Sequence, residues 1–146
     1  MSTIYFYKEY DKYGEFSNFY PCPIVIDNKE FSTAEHYFQA MKFHHNPAYF
    51  EKIRTCQSPS IAFKLGRTRE IRICNNWKQI KDDIMLKVLM AKFTQNERLK
   101  NLQINTKNAL LVEHTERDKY WADGGNNSGK NMLGKLLMQV RRDIIE

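Results

Sequence analysis

Glu35, Gln39 and Lys42 set an acid, an amide and an amine four and three residues apart within Phe31-Ser32-Thr33-Ala34-Glu35-His36-Tyr37-Phe38-Gln39-Ala40-Met41-Lys42-Phe43. At ~3.6 residues per turn this spacing predicts a short helix with all three on one face, and helical side chains lean toward the N-terminus, tipping Lys42 back toward Glu35. A carboxyl and an amine so placed can exchange protons around one substrate atom. Ser32-Thr33-Ala34-Glu35 also fits the capping box, in which Glu35 only closes the helix start onto Ser32. Phe31, Tyr37, Phe38, Ala40, Met41 and Phe43 leave a narrow polar strip, so the pair is expected to be partly desolvated. Desolvation moves carboxyl and amine pKa values into a useful range.

The second chemistry-bearing stretch is Tyr120-Trp121-Ala122-Asp123-Gly124-Gly125-Asn126-Asn127-Ser128-Gly129-Lys130-Asn131. A glycine-rich loop leading into a helix exposes backbone N–H groups that can hold a phosphate. Residues 124–130 satisfy seven positions of a phosphate-loop motif. Asn131 stands where magnesium needs Ser or Thr, and no buried strand immediately precedes Gly124, which argues against a nucleotide triphosphatase. Two readings stay open: a loop that needs positive backbone angles, or a ligand cradle flanked by Trp121 and Asp123. Trp121 can stack on a planar ring, whereas Trp77 falls on an apolar helix face that packing alone explains.

His36, His44, His45 and His114 show no metal-ligand spacing, and no metal site is expected. Arg67-Thr68-Arg69-Glu70-Ile71-Arg72 is a basic cluster that either contacts phosphates or forms a solvated face.

The elements that must position these residues are short. Thr3-Ile4-Tyr5-Phe6-Tyr7 and Ile24-Val25-Ile26 read as strands, the second turned by Asp27-Asn28 into Glu30-Phe31, which predicts a small sheet or hairpin early in the chain. Between them, Glu15-Phe16-Ser17-Asn18-Phe19-Tyr20-Pro21 reads as a packed aromatic loop. Asn46-Pro47 and Ser58-Pro59 are helix starts, with Gly66 a stop. Asn76 opens the longest helix, whose stripe runs through Trp77, Ile80, Ile84, Val88 and Ala91, widened by Met85, Leu89 and Phe93. Leu99, Leu102 and Ile104 suggest a short helix and Leu110-Leu111-Val112 a buried strand. Leu133, Leu136, Leu137, Val140 and Ile144 mark a closing amphipathic helix. The expected class is α+β: one mainly helical domain over residues 1–146 with a small early β-sheet.

A net charge of +6 favours anionic partners such as nucleic acid, nucleotides or phosphorylated metabolites. Cys22, Cys56 and Cys74 are odd in number and lack C-x-x-C spacing, which argues against a disulfide framework and for a reducing compartment. No uncharged apolar run approaches the ~18 residues of a membrane span, so a cytoplasmic protein without membrane contact is expected.

Phe16-Ser17-Asn18-Phe19, Thr33-Ala34-Glu35-His36-Tyr37-Phe38-Gln39-Ala40-x-Lys42-Phe43, Leu111-Val112-Glu113, Trp121-x-Asp123-Gly124-Gly125 and Asn131-x-Leu133-Gly134-x-Leu136-Leu137-Met138 occur in this order. Together they resemble the NADAR family, also called YbiA-like N-glycosidases, over nearly the whole chain. The resemblance implies an enzyme that hydrolyses N-glycosidic bonds without a cofactor. It removes ADP-ribose from guanine in nucleic acid, or splits early riboflavin-pathway intermediates, the ribosylamino-pyrimidine phosphates.

The matching functional positions are Glu35 and Lys42 on the helix, Ser17 and Asn18 in the aromatic loop, and Trp77, Trp121, Asp123 and Asn131 around the pocket. Gln39, Gly124 and Gly125 join them from the spacing above, and Ala122 stands where the family pattern has glycine. Both substrates join ribose to an exocyclic aromatic amine, whose ring-opened form is an imine. Neutral Lys42 attacking C1, with Glu35 moving protons, is therefore the expected route. Direct departure through an oxocarbenium-like state, with Glu35 or Asp123 activating water, is the alternative. A non-catalytic module that binds ADP-ribose or nucleic acid is the reading of another class.

Overall fold

Asp27 and Asn28 adopt φ of 53° and 66°, the paired left-handed conformation of a tight two-residue hairpin turn. They join β2 (Ile24–Ile26) to β3 (Lys29–Phe31) in antiparallel register, Ile24 opposite Phe31. The computed structural model describes residues 2–145. In it β1 (Thr3–Phe6) pairs not with this hairpin, as an early sheet would require, but in parallel with β4 (Leu110–Glu113). The correction has a physical cause: local turn chemistry fixes a hairpin, whereas a parallel partner depends on what lies between and is invisible to a window scan. Two two-stranded sheets and six α-helices give an α+β architecture.

α1 (Ala34–Met41) is followed by α2 (Pro47–Arg54) and α3 (Pro59–Leu65). Asn46 and Ser58 accept from Tyr49 N and Ile61 N, each with proline at the helix start, as their sequences predict. α4 (Trp77–Gln95) is the central element, packing against α1, α5 (Glu97–Asn105), α6 (Met132–Ile145) and β2. Its buried face comprises Trp77, Met85, Val88, Leu89, Lys92 and Phe93, while Ile80, Ile84 and Ala91 are only partly buried. The expected stripe is thus rotated slightly and admits a lysine. Phe16, Phe43, Phe93, Leu111, Leu137 and Val140 are wholly buried around α4 and tie both sheets to it. Among the described residues, no helix is long and apolar enough to cross a membrane.

Candidate active site

Thr33, not Ser32, caps α1: its hydroxyl accepts from His36 N at 3.1 Å and pairs with His36 Nδ1 at 2.8 Å. The capping-box reading of Glu35 is thereby overturned, because the helix begins one residue later than that box needs. Glu35 is left in the first turn with its carboxyl turned inward, 7% exposed. Gln39 Nε2 donates to Glu35 Oε2 at 2.7 Å, and Glu35 N donates to Asn18 O at 3.1 Å. Lys42 occupies the C-cap of α1, its Nζ 5.9 Å from the Phe38 ring centre, and its carbonyl accepts from Cys74 N at 2.8 Å. One helix face therefore carries the three groups, as the spacing predicts.

Burial pushes the Glu35 carboxyl up, reinforced by the Asp118 carboxylate and opposed by the Gln39 hydrogen bond and the Lys42 charge. Lys42 moves the other way: burial pushes its amine down, Arg67 adds to this and Glu35 opposes it. A third group joins them from β4. Glu113 is pushed up to about 8, first by burial and then by the carboxylates of Asp118, Glu35 and Asp123. Low-dielectric surroundings thus favour the neutral acid and the neutral amine together, opposite to the charges both carry in water.

Phe38 separates two indoles, its ring centre 5.1 Å from Trp77 and 5.4 Å from Trp121, both edge-on. Trp77 is 7% exposed and belongs to the core, whereas Trp121 is only half-buried. Ser17 is buried, its hydroxyl accepting from Phe19 N at 3.1 Å. Asn18 Nδ2 donates to Met85 Sδ at 3.5 Å. Among the described residues four buried side-chain polar atoms lack a partner, and two of them, Asn18 Oδ1 and Gln39 Oε1, flank Glu35. Buried acceptors without donors cost stability, and at a site they mark where a ligand donor fits.

The glycine loop is built differently. Asp123 Oδ1 accepts from Thr115 N at 3.1 Å and Gly125 N at 2.8 Å, and Oδ2 pairs with His114 Nδ1 at 2.7 Å. Burial raises the Asp123 pKa, but these three donors outweigh it and hold the carboxyl below its ordinary range. Gly124 and Gly125 sit at φ of 72° and 87°, which glycine adopts without strain. The N–H groups of Gly124, Gly129, Lys130, Asn131, Met132 and Leu133 all donate to carbonyls of residues 118–123. Asn131 Oδ1 accepts from Glu113 N at 3.1 Å while Nδ2 donates to Leu111 O at 2.9 Å, fastening the start of α6 to β4. The amides of Gly124 and Gly125 are thus paired within the loop, to Asp118 O and Asp123 Oδ1, which favours the loop-shaping reading of these glycines over a phosphate cradle. Two open grooves, of about 540 and 680 Å³, lie elsewhere, and no residue of the Glu35 cluster lines either. Among the described residues, no three His, Cys, Asp or Glu side chains gather as a metal site.

The NADAR domain family description matches residues 5–145. The chain belongs to the NADAR family. It is 49% identical over 143 residues to N-glycosidase YbiA of Shigella boydii, spanning 98% of this chain and 89% of that protein. The NMR structure of the Escherichia coli protein YbiA matches it with a TM-score of 0.91 at 47% identity, covering 99% of this chain and 85% of that one. A riboflavin biosynthesis protein of Vibrio vulnificus is 35% identical over 143 residues, 98% of this chain but 39% of that longer protein.

In this NADAR domain, then, Glu35, Gln39, Lys42, Asn18 and Trp121 converge. Ser17 and Trp77 are buried, and Asp123, Gly124, Gly125 and Asn131 belong to the loop that follows Trp121 and is fastened to β4 through Asn131. Sequence reasoning missed Glu113, Asp118 and Arg67 as parts of the electrostatic cluster. A carboxylate ending the apolar run Leu110-Leu111-Val112 was the available signal for Glu113, although the strand is only partly covered, with Leu111 buried and Leu110 exposed, rather than the buried strand expected. Asp118 Oδ1 accepts from Tyr120 N and Trp121 N, both at 2.8 Å, so it also turns the chain that presents Trp121.

Proposed function

We propose that this NADAR domain hydrolyses the bond between ribose C1 and an exocyclic aromatic amine, with ADP-ribose on guanine of nucleic acid as its substrate. The coarse activity is that of its relatives: an enzyme, a hydrolase of N-glycosyl compounds. What carries the finer reading is the buried carboxyl and half-buried amine on one helix face, each with its ordinary charge disfavoured. A neutral amine is a nucleophile and a protonated carboxyl a proton donor at the same pH.

In this scheme the glycosylamine ring opens to an imine at C1. Lys42 Nζ adds there, a proton passes from Glu35 or Glu113 to the departing aryl nitrogen, and the aryl C1–N bond breaks. The resulting Lys42 imine takes up water, C1 leaves as the sugar aldehyde, and the amine is regenerated. Trp121, only half-buried, suits stacking on the aromatic base. Asn18 Oδ1 suits a donor on the sugar or the base.

Arg67, whose charge reaches Lys42, stands with Arg69 and Arg72 in an exposed stretch. Among the described residues none of these three guanidinium groups joins a salt bridge, which leaves them free for phosphates. The second reading, ribosylamino-pyrimidine phosphates of riboflavin synthesis, is favoured by the name of the Vibrio vulnificus relative and uses the same chemistry. Mass spectrometry of products from a panel of N-ribosylated aromatic amines, in low salt, tests the proposal. Release of free ADP-ribose, with unmodified guanine left in the oligonucleotide, is expected. Tight binding of the intact conjugate with no release from any panel member would instead make the domain a reader.

A further inference from the structure

We infer that Lys92 is a positioning residue for the Glu35 and Lys42 site, the post around which residues 15–22 are wound so that they seat the start of α1. The inference rests on the proposed function for the meaning of that site, but not for its geometry. Lys92 lies on the buried face of α4 with no exposed surface. Its Nζ donates to Ser17 O at 2.9 Å, a bond that spans 75 residues of sequence, and it lies 5.8 Å from the Tyr20 ring centre. The Glu15 carboxylate and the Cys22 thiol, which burial keeps protonated, neighbour it from either end of the same loop. Arg98 on α5 closes the outside, pairing with Glu15 at 3.1 Å and donating to Tyr20 Oη. Four positions of one irregular loop are thus disposed about a single amine.

The loop's other side holds the catalytic helix. Asn18 O accepts from Glu35 N at 3.1 Å, and Cys22 N donates to Ser32 O at 3.1 Å, so the entry to α1 is fastened at two points. Ser17 O also accepts from Tyr20 N at 3.1 Å, which closes the turn by itself. Lys92 therefore adds placement of the turn within the core rather than its formation. Burial lowers the Lys92 pKa to about 7, and an amine remains an N–H donor in either protonation state. A buried lysine is costly where leucine or methionine would pack, and the Glu35 side of the loop supplies the return on that cost.

Lys92→Met keeps an unbranched side chain and removes the donor, while Lys92→Gln keeps an N–H without the charge. Amide hydrogen exchange reads the placement without any substrate, so its failure is separable from that of the proposed function. In Lys92→Met the Glu35 amide is expected to exchange roughly tenfold faster while the Leu137 and Val140 amides of α6 keep wild-type rates. Turnover of the N-ribosyl substrate falls about tenfold in kcat with KM changed by less than about threefold, and Lys92→Gln lies nearer the wild type in both. A Glu35 amide as protected as in the wild type would overturn the inference. So would equal acceleration at Glu35 and Val140, the mark of a role in general stability alone.

Discussion

The α1 face and the glycine loop both stand out in the sequence, and the folded chain uses them in opposite ways. In the loop the polar contacts turn inward: Asp123 has three donors, Asn131 two partners, and the amides of Gly124 and residues 129–133 return to residues 118–123. Around α1, among the described residues, three buried polar atoms have no partner, Asn18 Oδ1, Tyr37 Oη and Gln39 Oε1, Glu35 and Lys42 make no direct ion pair, and three titratable groups are displaced from their ordinary ranges. Polar groups that satisfy one another build shape. Those left unsatisfied and displaced are held in readiness for something that binds.

The widest gap between the two regions is expected from paired substitutions. Glu35→Gln lowers kcat by roughly 10²- to 10⁴-fold, the usual worth of a positioned proton-transfer group, with little change in melting temperature. Asp123→Asn does the reverse: it costs about 1–3 kcal/mol of stability by unsettling its buried donors, while kcat of the folded fraction falls less than about tenfold. Steady-state kinetics beside thermal melts check both, and a larger kcat loss in Asp123→Asn than in Glu35→Gln would invert the comparison.

The pH profile sharpens it further. Activity should rise with pH as Lys42 gives up its proton, then fall near pH 8 as Glu113, held up to about 8, gives up its own. The result is a bell. Glu113→Gln cannot ionise, so the alkaline limb should move up by more than about one pH unit. Persistence of that limb in the variant assigns it to another group.

The smallest effect is expected at Gly66. It ends α3 with φ of −67°, a value open to any residue, so helix termination does not demand glycine there. A Cβ would lie 1.9 Å from Gln39 Oε1. Gly66→Ala should therefore push the Gln39 amide off Glu35, lowering kcat several-fold while the melting temperature moves by only a few degrees. Unchanged kcat would free Gln39 of any part in placing the acid.

Local signals were readable where local physics decides. The spacing of Glu35, Gln39 and Lys42, the caps Asn46-Pro47 and Ser58-Pro59, and the Asp27-Asn28 turn each depend on a few adjacent residues. Glu113 carried a local signal, the carboxylate ending an apolar run, but its surroundings did not, because the parallel pairing of β1 with β4, Phe6 opposite Glu113 more than a hundred residues apart, lies outside any local window. Lys92 reads in sequence as a polar position on an amphipathic helix, and only the packed loop of residues 15–22 shows what it holds. Trp77 illustrates the converse: its apolar helix face already pointed to the core position it takes against Phe38.

Borohydride reduction during turnover tests the Lys42 amine most directly. The imine route predicts a ribosyl-derived adduct, stable to denaturation, mapped by peptide mass spectrometry to Lys42 and absent from Lys42→Arg. An enzyme that turns over fully in borohydride with Lys42 unmodified would contradict it, leaving direct hydrolysis with the amine as a bystander charge.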